Sequence, residues 1–432
     1  MLGLLICSFA PYCPPVNSND RAIVGLVMVA HAMVHTYELS IPIFMTIWLV
    51  ELDVSTAVLG VASTTGYALY GIGALPSGIL SDRIGSRKLI AACLAGMGAA
   101  FVLLSLSQTV WTVTLALVAW GTAASLYHPA GLALISKGVE QRGYAFALHG
   151  MAGNAGIALG PLVAALLLIW LDWQWVAGLL ALPAVVATAF ALRASFDENA
   201  AVDLRATPDS SAASRTQQMA DLWATSRTLF AGSFALVFGI VMLSGLYYRG
   251  VLTFLPDLLT PLVALDLPVD LDAGRYVYAG LLMVGIGGQY VGGRLTDRGN
   301  IEGVLIRAFG LLAAVALLFL PIARLGTAAL LGVSAALGFL LFLVQPLYQA
   351  TVAEYTPAEA RGLSYGFTYL GVFGIGALGA ALAGAVLQYA SEDVLFGVLA
   401  GLALLGAGLS AWLMRRTRPA TPEADATGKA RA

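Results

Sequence analysis

The sequence predicts an all-α membrane protein of twelve transmembrane helices in two pseudo-symmetric six-helix bundles. Three observations carry that prediction. The chain has too little polar surface for water, it holds twelve apolar runs of spanning length, and a set of short motifs recurs about half a chain later.

The composition comes first. Of 432 residues, 59% are apolar and 11% charged, against about 45–50% and about 25% in soluble globular chains. Such a chain cannot cover a water-soluble particle, and a lipid bilayer is the expected surrounding. The net charge of −2 excludes a nucleic-acid surface, which needs a clustered excess of Lys and Arg. Cys7, Cys13 and Cys93 have no zinc spacing, the four histidines show no HExxH pattern, and no phosphate-binding Gly-x-x-x-x-Gly-Lys loop is present. No metal, cofactor or ATP site is therefore expected. With no paired nucleophile and base, no enzyme is expected either.

A spanning helix needs about 17–25 mostly apolar residues. The first half supplies Ala22–Leu49, Thr56–Leu80, Leu89–Leu106, Val110–Ile135, Gly143–Trp170 and Trp175–Leu192. The second supplies Thr228–Leu255, Tyr276–Leu295, Val304–Ile322, Thr327–Val352, Gly362–Tyr389 and Val394–Met414. The expected domains are a tail (1–21), a bundle (22–192), a polar linker (193–227), a second bundle (228–414) and a tail (415–432). Residues 1–21 lack the positive start of a signal peptide and read as a loose tail.

Lys and Arg placement sets the orientation. Arg83, Arg87, Lys88, Lys137, Arg142, Arg205, Arg215, Arg227, Arg294, Arg298, Arg361, Arg415, Arg416 and Arg418 fall on one side of a twelve-span chain. Acids such as Glu51, Asp53, Asp172, Asp257, Asp272 and Asp393 fall on the other, with Arg275, Arg324 and Arg249 breaking the pattern. Both termini and the linker are thus expected in the cytoplasm, with the chain in the inner membrane.

Gly78-Ile79-Leu80-Ser81-Asp82-Arg83 recurs as Gly293-Arg294-Leu295-Thr296-Asp297-Arg298, each after the second span of its half. His128-Pro129 matches Gln345-Pro346, and Arg142-Gly143 matches Arg361-Gly362. Ordered matches at near-constant offset indicate duplication. Parallel repeats of this kind build transporters whose site lies between the halves near the midplane.

Gly78-x-Leu80-x-Asp82-Arg83-x-Gly85-x-Arg87-Lys88 resembles the loop 2–3 signature of the major facilitator superfamily, and Gly293, Asp297 and Arg298 are its degraded second copy. The resemblance covers Ala22 to Met414. Tyr127-His128-Pro129 and Gly153-Asn154-Ala155-Gly156-Ile157-Ala158-Leu159-Gly160-Pro161-Leu162 are similar to the fosmidomycin-resistance type of exporter. Gly156-x-x-x-Gly160-Pro161 also resembles the drug-antiporter signature, although Ala164-Ala165 stands where that signature often has two glycines. The resemblance implies a cavity between spans 1, 4, 7 and 10, and a neighbour for Asp82 at the start of span 11. Asp82 can accept hydrogen bonds from a helix N-terminus. Arg83, Arg87 and Lys88 can pair with acids such as Glu140. These charges suit an inner gate; the alternative is that they only fix topology. Gly156 and Gly160 lie on one face and Pro161 can bend the helix. They suit a rocking seam between the halves, or else static packing.

All four histidines fall within predicted spans, and so does Glu38. His31, His35 and Glu38 are spaced i, i+4, i+7 and share one helical face. A buried ionisable group in a span costs about 2.5–3.5 kcal/mol on insertion scales and faces a cavity or a partner. His and Glu titrate near about 6.5 and about 4.3 in water, so Glu38 and His35 suit taking up and releasing a proton. His31 and His149 read as structural, while His128 is intermediate because its repeat partner is Gln345. In span 7, Tyr248-Arg249 matches Tyr37-Glu38 with opposite charge. That suggests an outer gate pair, the alternative being an Arg249 that snorkels to the headgroups.

The resulting expectation is a monomeric, proton-coupled exporter of a small organic compound. His35, Glu38, Tyr127, His128, Tyr248, Arg249 and Gln345 are its candidate lining groups. Uptake of an organic anion at Arg249 and a transport-dead membrane sensor are the alternatives.

Overall fold

In lipid, the backbone of a long apolar run has only itself to bond with, so each run folds as a helix. A computed structural model of the chain describes residues 17–201, 215–263, 272–296, 300–357 and 360–417, and among these residues there is no strand. The first half contains α1 (Ser18–Glu51), α2 (Thr56–Ile72), α3 (Ala74–Ile84), α4 (Ser86–Ser105), α5 (Val110–Ala124), α6 (Tyr127–Gly138), α7 (Arg142–Leu167) and α8 (Trp173–Arg193). The second contains α9 (Arg215–Ala231), α10 (Phe234–Leu252), the short α11 (Leu255–Leu259), α12 (Ala273–Thr296), α13 (Ile301–Ala323), α14 (Thr327–Glu354) and α15 (Arg361–Tyr369). A π-helical turn over Leu370–Ile375 then leads into α16 (Leu378–Tyr389) and α17 (Glu392–Thr417).

Eleven of the twelve predicted spans are helices long and apolar enough to cross a bilayer. The remaining one, the eighth, is α12; its 24 residues reach about 36 Å, but Arg275, Gln289 and Arg294 dilute its apolar character. Four predicted spans are interrupted, the seventh at Gly232 and Ser233 and the eleventh over the π-helical turn, besides the second and the fourth. The second breaks at Gly73 between α2 and α3, and the fourth at Ser125 and Leu126 between α5 and α6. These last two breaks adjoin each other: Ser77 Oγ donates to the Leu126 carbonyl at 3.1 Å, and a Cβ on Gly73 would lie 2.3 Å from Ser125 Oγ. Part of the predicted linker is helical, since α9 begins at Arg215.

Two compact units result, one of Met1–Leu52 with Thr65–Ala212 and one of Asp53–Thr64 with Ala213–Ala432. In the first, α1 packs most extensively on α7 and α4 on α8. In the second, the main partnerships are α12 with α14 and α13 with α17. The duplication is visible in backbone contacts. Gly121 on α5 lies against the Gly66 carbonyl of α2, and Gly288 on α12 lies against the Phe339 carbonyl of α14. The second and fourth spans of each half therefore cross by the same close backbone approach.

The outward-facing surface is apolar. Trp111, Trp170, Trp175 and Tyr389 are 69–82% exposed at helix ends on the acid-rich side, where amphipathic rings sit at headgroup level. Beyond α10 on that same side, Thr260 Oγ1 donates to Asp272, and Asp272 Oδ2 pairs with Arg275 Nε at 2.8 Å. Burial, helped by the negative charges of Asp272 and Glu392, pushes the Asp257 carboxyl above its ordinary value. The folded state therefore favours the protonated acid, so stability falls as pH rises from the ordinary carboxylate value through the folded one. Asp257→Asn is expected to raise the thermal midpoint in detergent at neutral pH. That gain should vanish below the ordinary carboxylate range, as a melting series against pH would show.

Candidate functional site

The first unit gathers its ionisable groups at one place. The i, i+4, i+7 spacing on α1 sets His31, His35 and Glu38 in a line. His35 Nδ1 lies 2.6 Å from Glu38 Oε2, and His35 Nε2 lies 3.1 Å from His31 Nε2. At the far end, His31 Nδ1 meets the backbone carbonyl of His149 on α7 at 2.7 Å. The His149 ring stacks on His31 with centroids 3.8 Å apart and planes 12° apart. From α6, His128 stands edge-on to His31 at 5.3 Å, and its Nε2 lies 2.7 Å from the Tyr70 hydroxyl of α2. Tyr127 donates to the Val27 carbonyl of α1 at 2.5 Å and stacks on His31. Glu38 is fully buried, and the four histidines are 5–9% exposed.

Packing of α7 on α1 makes room for this cluster. A Cβ on Gly156 would lie 2.2 Å from the Ala32 carbonyl oxygen, and one on Gly160 would lie 2.6 Å from Thr36 Cα. A Cβ on Gly153 would strike the His31 ring at 2.4 Å. The expected seam between halves is thereby corrected. The close approach these glycines permit is to α1, inside the first unit.

The hydrogen bonds have a fixed polarity. A carbonyl only accepts, so His31 Nδ1 carries a hydrogen. If His31 is neutral, its Nε2 offers a lone pair and His35 Nε2 must donate. His35 Nδ1 is then bare unless a further proton sits between it and Glu38. If His31 is cationic instead, it donates to His35, which donates to ionised Glu38. With every one of these contacts a hydrogen bond, the line holds one positive charge more than two neutral histidines with an ionised Glu38.

In the second unit Tyr248 and Arg249 lie on α10. Arg249 is 1% exposed and its guanidinium sits 5.3 Å from the Tyr248 ring centroid and 5.9 Å from that of Phe373. Aromatic faces are favourable surroundings for a desolvated cation, and its burial replaces the snorkelling alternative. Gln345 is half-buried on α14.

The loop motif lies at the junction of α3 and α4, where Gly85 takes φ +90°, a conformation glycine adopts without strain. Glu198, which follows α8, accepts from the amides of Ser86 at 2.7 Å and Arg87 at 3.2 Å. A carboxylate there caps the start of α4 and complements its dipole. The Arg87 guanidinium donates to the Ala194 carbonyl in place of the expected acid such as Glu140. Arg83 and Lys88 are exposed, Gly78 lies 3.8 Å from the Pro129 side chain by its would-be Cβ, and Gly293 opens on empty space. The Asp82 side chain and all of Asp297 and Arg298 lie outside the described residues.

The sequence profile of the Major Facilitator Superfamily matches residues 24–380. The chain belongs to the major facilitator superfamily. Its fold agrees with that of solved superfamily members. It superimposes with a TM-score of 0.73 on the nucleoside transporter NupG (D323A mutant), covering 90% of this chain and 99% of that one at 16% identity. A bacterial homologue of the human lysosomal transporter Spinster, in an inward-facing conformation, gives 0.67 at 14% identity over 93% and 96%. Among curated relatives, puromycin resistance protein pur8 of Streptomyces alboniger is 35% identical over 26% of this chain and 23% of its own length. The inner membrane transport protein YdhP of Escherichia coli O157:H7 is 39% identical over 32% and 36%. This chain thus spans about a quarter to a third of these relatives' lengths. The membrane sensor protein UhpC of Salmonella typhimurium is 29% identical over 82% of both chains. As a superfamily member with eleven helices of spanning length among the described residues, the protein is a multi-pass membrane protein.

His35, Glu38, Tyr127 and His128 come together as site candidates, whereas Tyr248, Arg249 and Gln345 belong to the other unit. His31, on the same helical face yet structural by the sequence reading, His149 and Tyr70 join the first four. Four histidines confined to three spans were the available signal for the first two; nothing in the sequence marks Tyr70.

Proposed function

We propose that the protein is a proton-coupled exporter of a small organic compound in the inner membrane, with both termini cytoplasmic. One observation carries the reading: a buried, hydrogen-bonded line runs from the His149 carbonyl through His31 and His35 to Glu38, in a helix that spans lipid. Ionisable groups inside a span are costly and mark ion pathways. A line that must hold one extra positive charge is suited to loading and unloading a proton as access alternates. The absence of an ATP-binding loop leaves an ion gradient as the drive. Export is supported by the resistance named for the pur8 relative and by the drug-antiporter pattern at Gly156, Gly160 and Pro161.

The test is a compound panel in everted membrane vesicles with an imposed pH gradient. Accumulation of at least one compound, abolished by collapsing the gradient, supports the reading. The second reading, a sensor, is supported by the similarity to UhpC over 82% of both chains. It predicts binding of a ligand with no flux under any gradient.

A further inference from the structure

The geometry points to a divalent transition-metal cation site in the first unit, with His31, His35 and His128 as ligands. One ring nitrogen from each of the three lies within 4.8 Å of the other two, and all three side chains are buried. Two of them already stand at ligand spacing. Their Nε2 atoms are 3.1 Å apart. In a tetrahedral zinc site with Zn–N of about 2.0–2.1 Å, two ligand nitrogens are about 3.3 Å apart.

The outer contacts have the form metal-bound histidines need. A ligating imidazole almost always donates its other N–H to a carboxylate or a backbone carbonyl, which fixes the ring and its tautomer. His31 Nδ1 has the His149 carbonyl at 2.7 Å, and His35 Nδ1 has the Glu38 carboxylate at 2.6 Å. With both Nδ1 atoms donating and Glu38 ionised, two Nε2 lone pairs converge on one point. That arrangement repels itself unless a positive charge lies between them, and a metal cation supplies it as well as a proton does. On the third ligand, the Tyr70 hydroxyl at 2.7 Å from His128 Nε2 plays the outer part. His128 is the more distant ring, with its ligand atom within 4.8 Å of the other two.

The donor set selects the class of cation. Imidazole nitrogen suits Zn²⁺, Co²⁺, Ni²⁺ and Cu²⁺, while Mg²⁺ and Ca²⁺ require oxygen. Three protein ligands leave a fourth position open, as in exchangeable rather than closed structural sites. The cation and the proposed coupling proton would occupy the same line, but the metal site stands on geometry alone.

The purified full-length chain, stripped with a chelator and monodisperse in detergent, is titrated with cobalt(II) and with zinc(II). The expected result is one equivalent per chain, a tetrahedral cobalt spectrum, and nitrogen scatterers at about 2.0–2.1 Å without sulfur in zinc X-ray absorption. His31→Ala, His35→Ala and His128→Ala should each lose the equivalent, and Glu38→Gln should weaken it by about 10–100-fold. Cys93→Ser should leave it unchanged. The proposal is overturned if the wild-type chain binds no equivalent, if sulfur ligates the metal, or if monodisperse histidine variants bind unchanged. Should those variants fail to fold, the wild-type absorption spectrum decides by itself. Failure here leaves gradient-driven transport untouched, and failure of transport leaves metal binding untouched.

Discussion

Gly156→Ala is expected to destabilise the protein by about 1–3 kcal/mol and to abolish transport, although it adds a single methyl group. The new Cβ would lie 2.2 Å from the Ala32 carbonyl oxygen and 2.9 Å from Ala32 Cα, where ordinary contact begins near about 3.5 Å. Backbone cannot rotate aside as a side chain can, so α7 must retreat from α1 by about 1 Å. The line through His31 depends on that approach, because His31 reaches across to the His149 carbonyl of α7. Gly150 on the same helix is the matched control, since a Cβ there meets nothing within 4 Å. Gly150→Ala should be neutral or stabilising by up to about 1 kcal/mol through helix propensity. Thermal midpoints in detergent separate the two. Equal midpoints for both variants would mean that α1 and α7 do not meet through backbone.

Glu38→Gln is expected to remove concentrative transport while leaving insertion and folding intact. Gln keeps the size and can still hydrogen-bond His35, but it can neither hold nor release a proton. Facilitated flux down a substrate gradient should persist, because the substitution removes the proton-carrying group and leaves the helix in place. Retained accumulation against a gradient would count against Glu38. Arg249→Gln should also impair transport. The swap Glu38→Arg with Arg249→Glu should recover part of the loss if the two charges are coupled, and a strictly additive double-mutant cycle would show that they act independently.

The spans, the repeat and the glycine face of α7 were legible because each is a local pattern. Hydropathy fixes a span, motif order fixes a duplication, and a four-residue spacing fixes a helical face. The same spacing gave the line of His31, His35 and Glu38. What it could not give was the angle and depth at which α1 meets α6 and α7. His31 and His149 are 118 positions apart, and whether they touch depends on where α7 crosses α1. Tyr70 was hidden for the same reason, since its contact with His128 requires the paired breaks in the second and fourth spans. Glu198 lay in a polar stretch that reads as linker, and only the fold carries it back beneath the start of α4.

The most direct test of proton-coupled transport is a pH-sensitive dye inside proteoliposomes holding the purified chain, with an exported compound added to one side. Compound movement should be accompanied by opposite proton movement, and Glu38→Gln should abolish the dye signal while compound still equilibrates. Compound flux with no dye signal in the wild type, or an unchanged signal in Glu38→Gln, would contradict it.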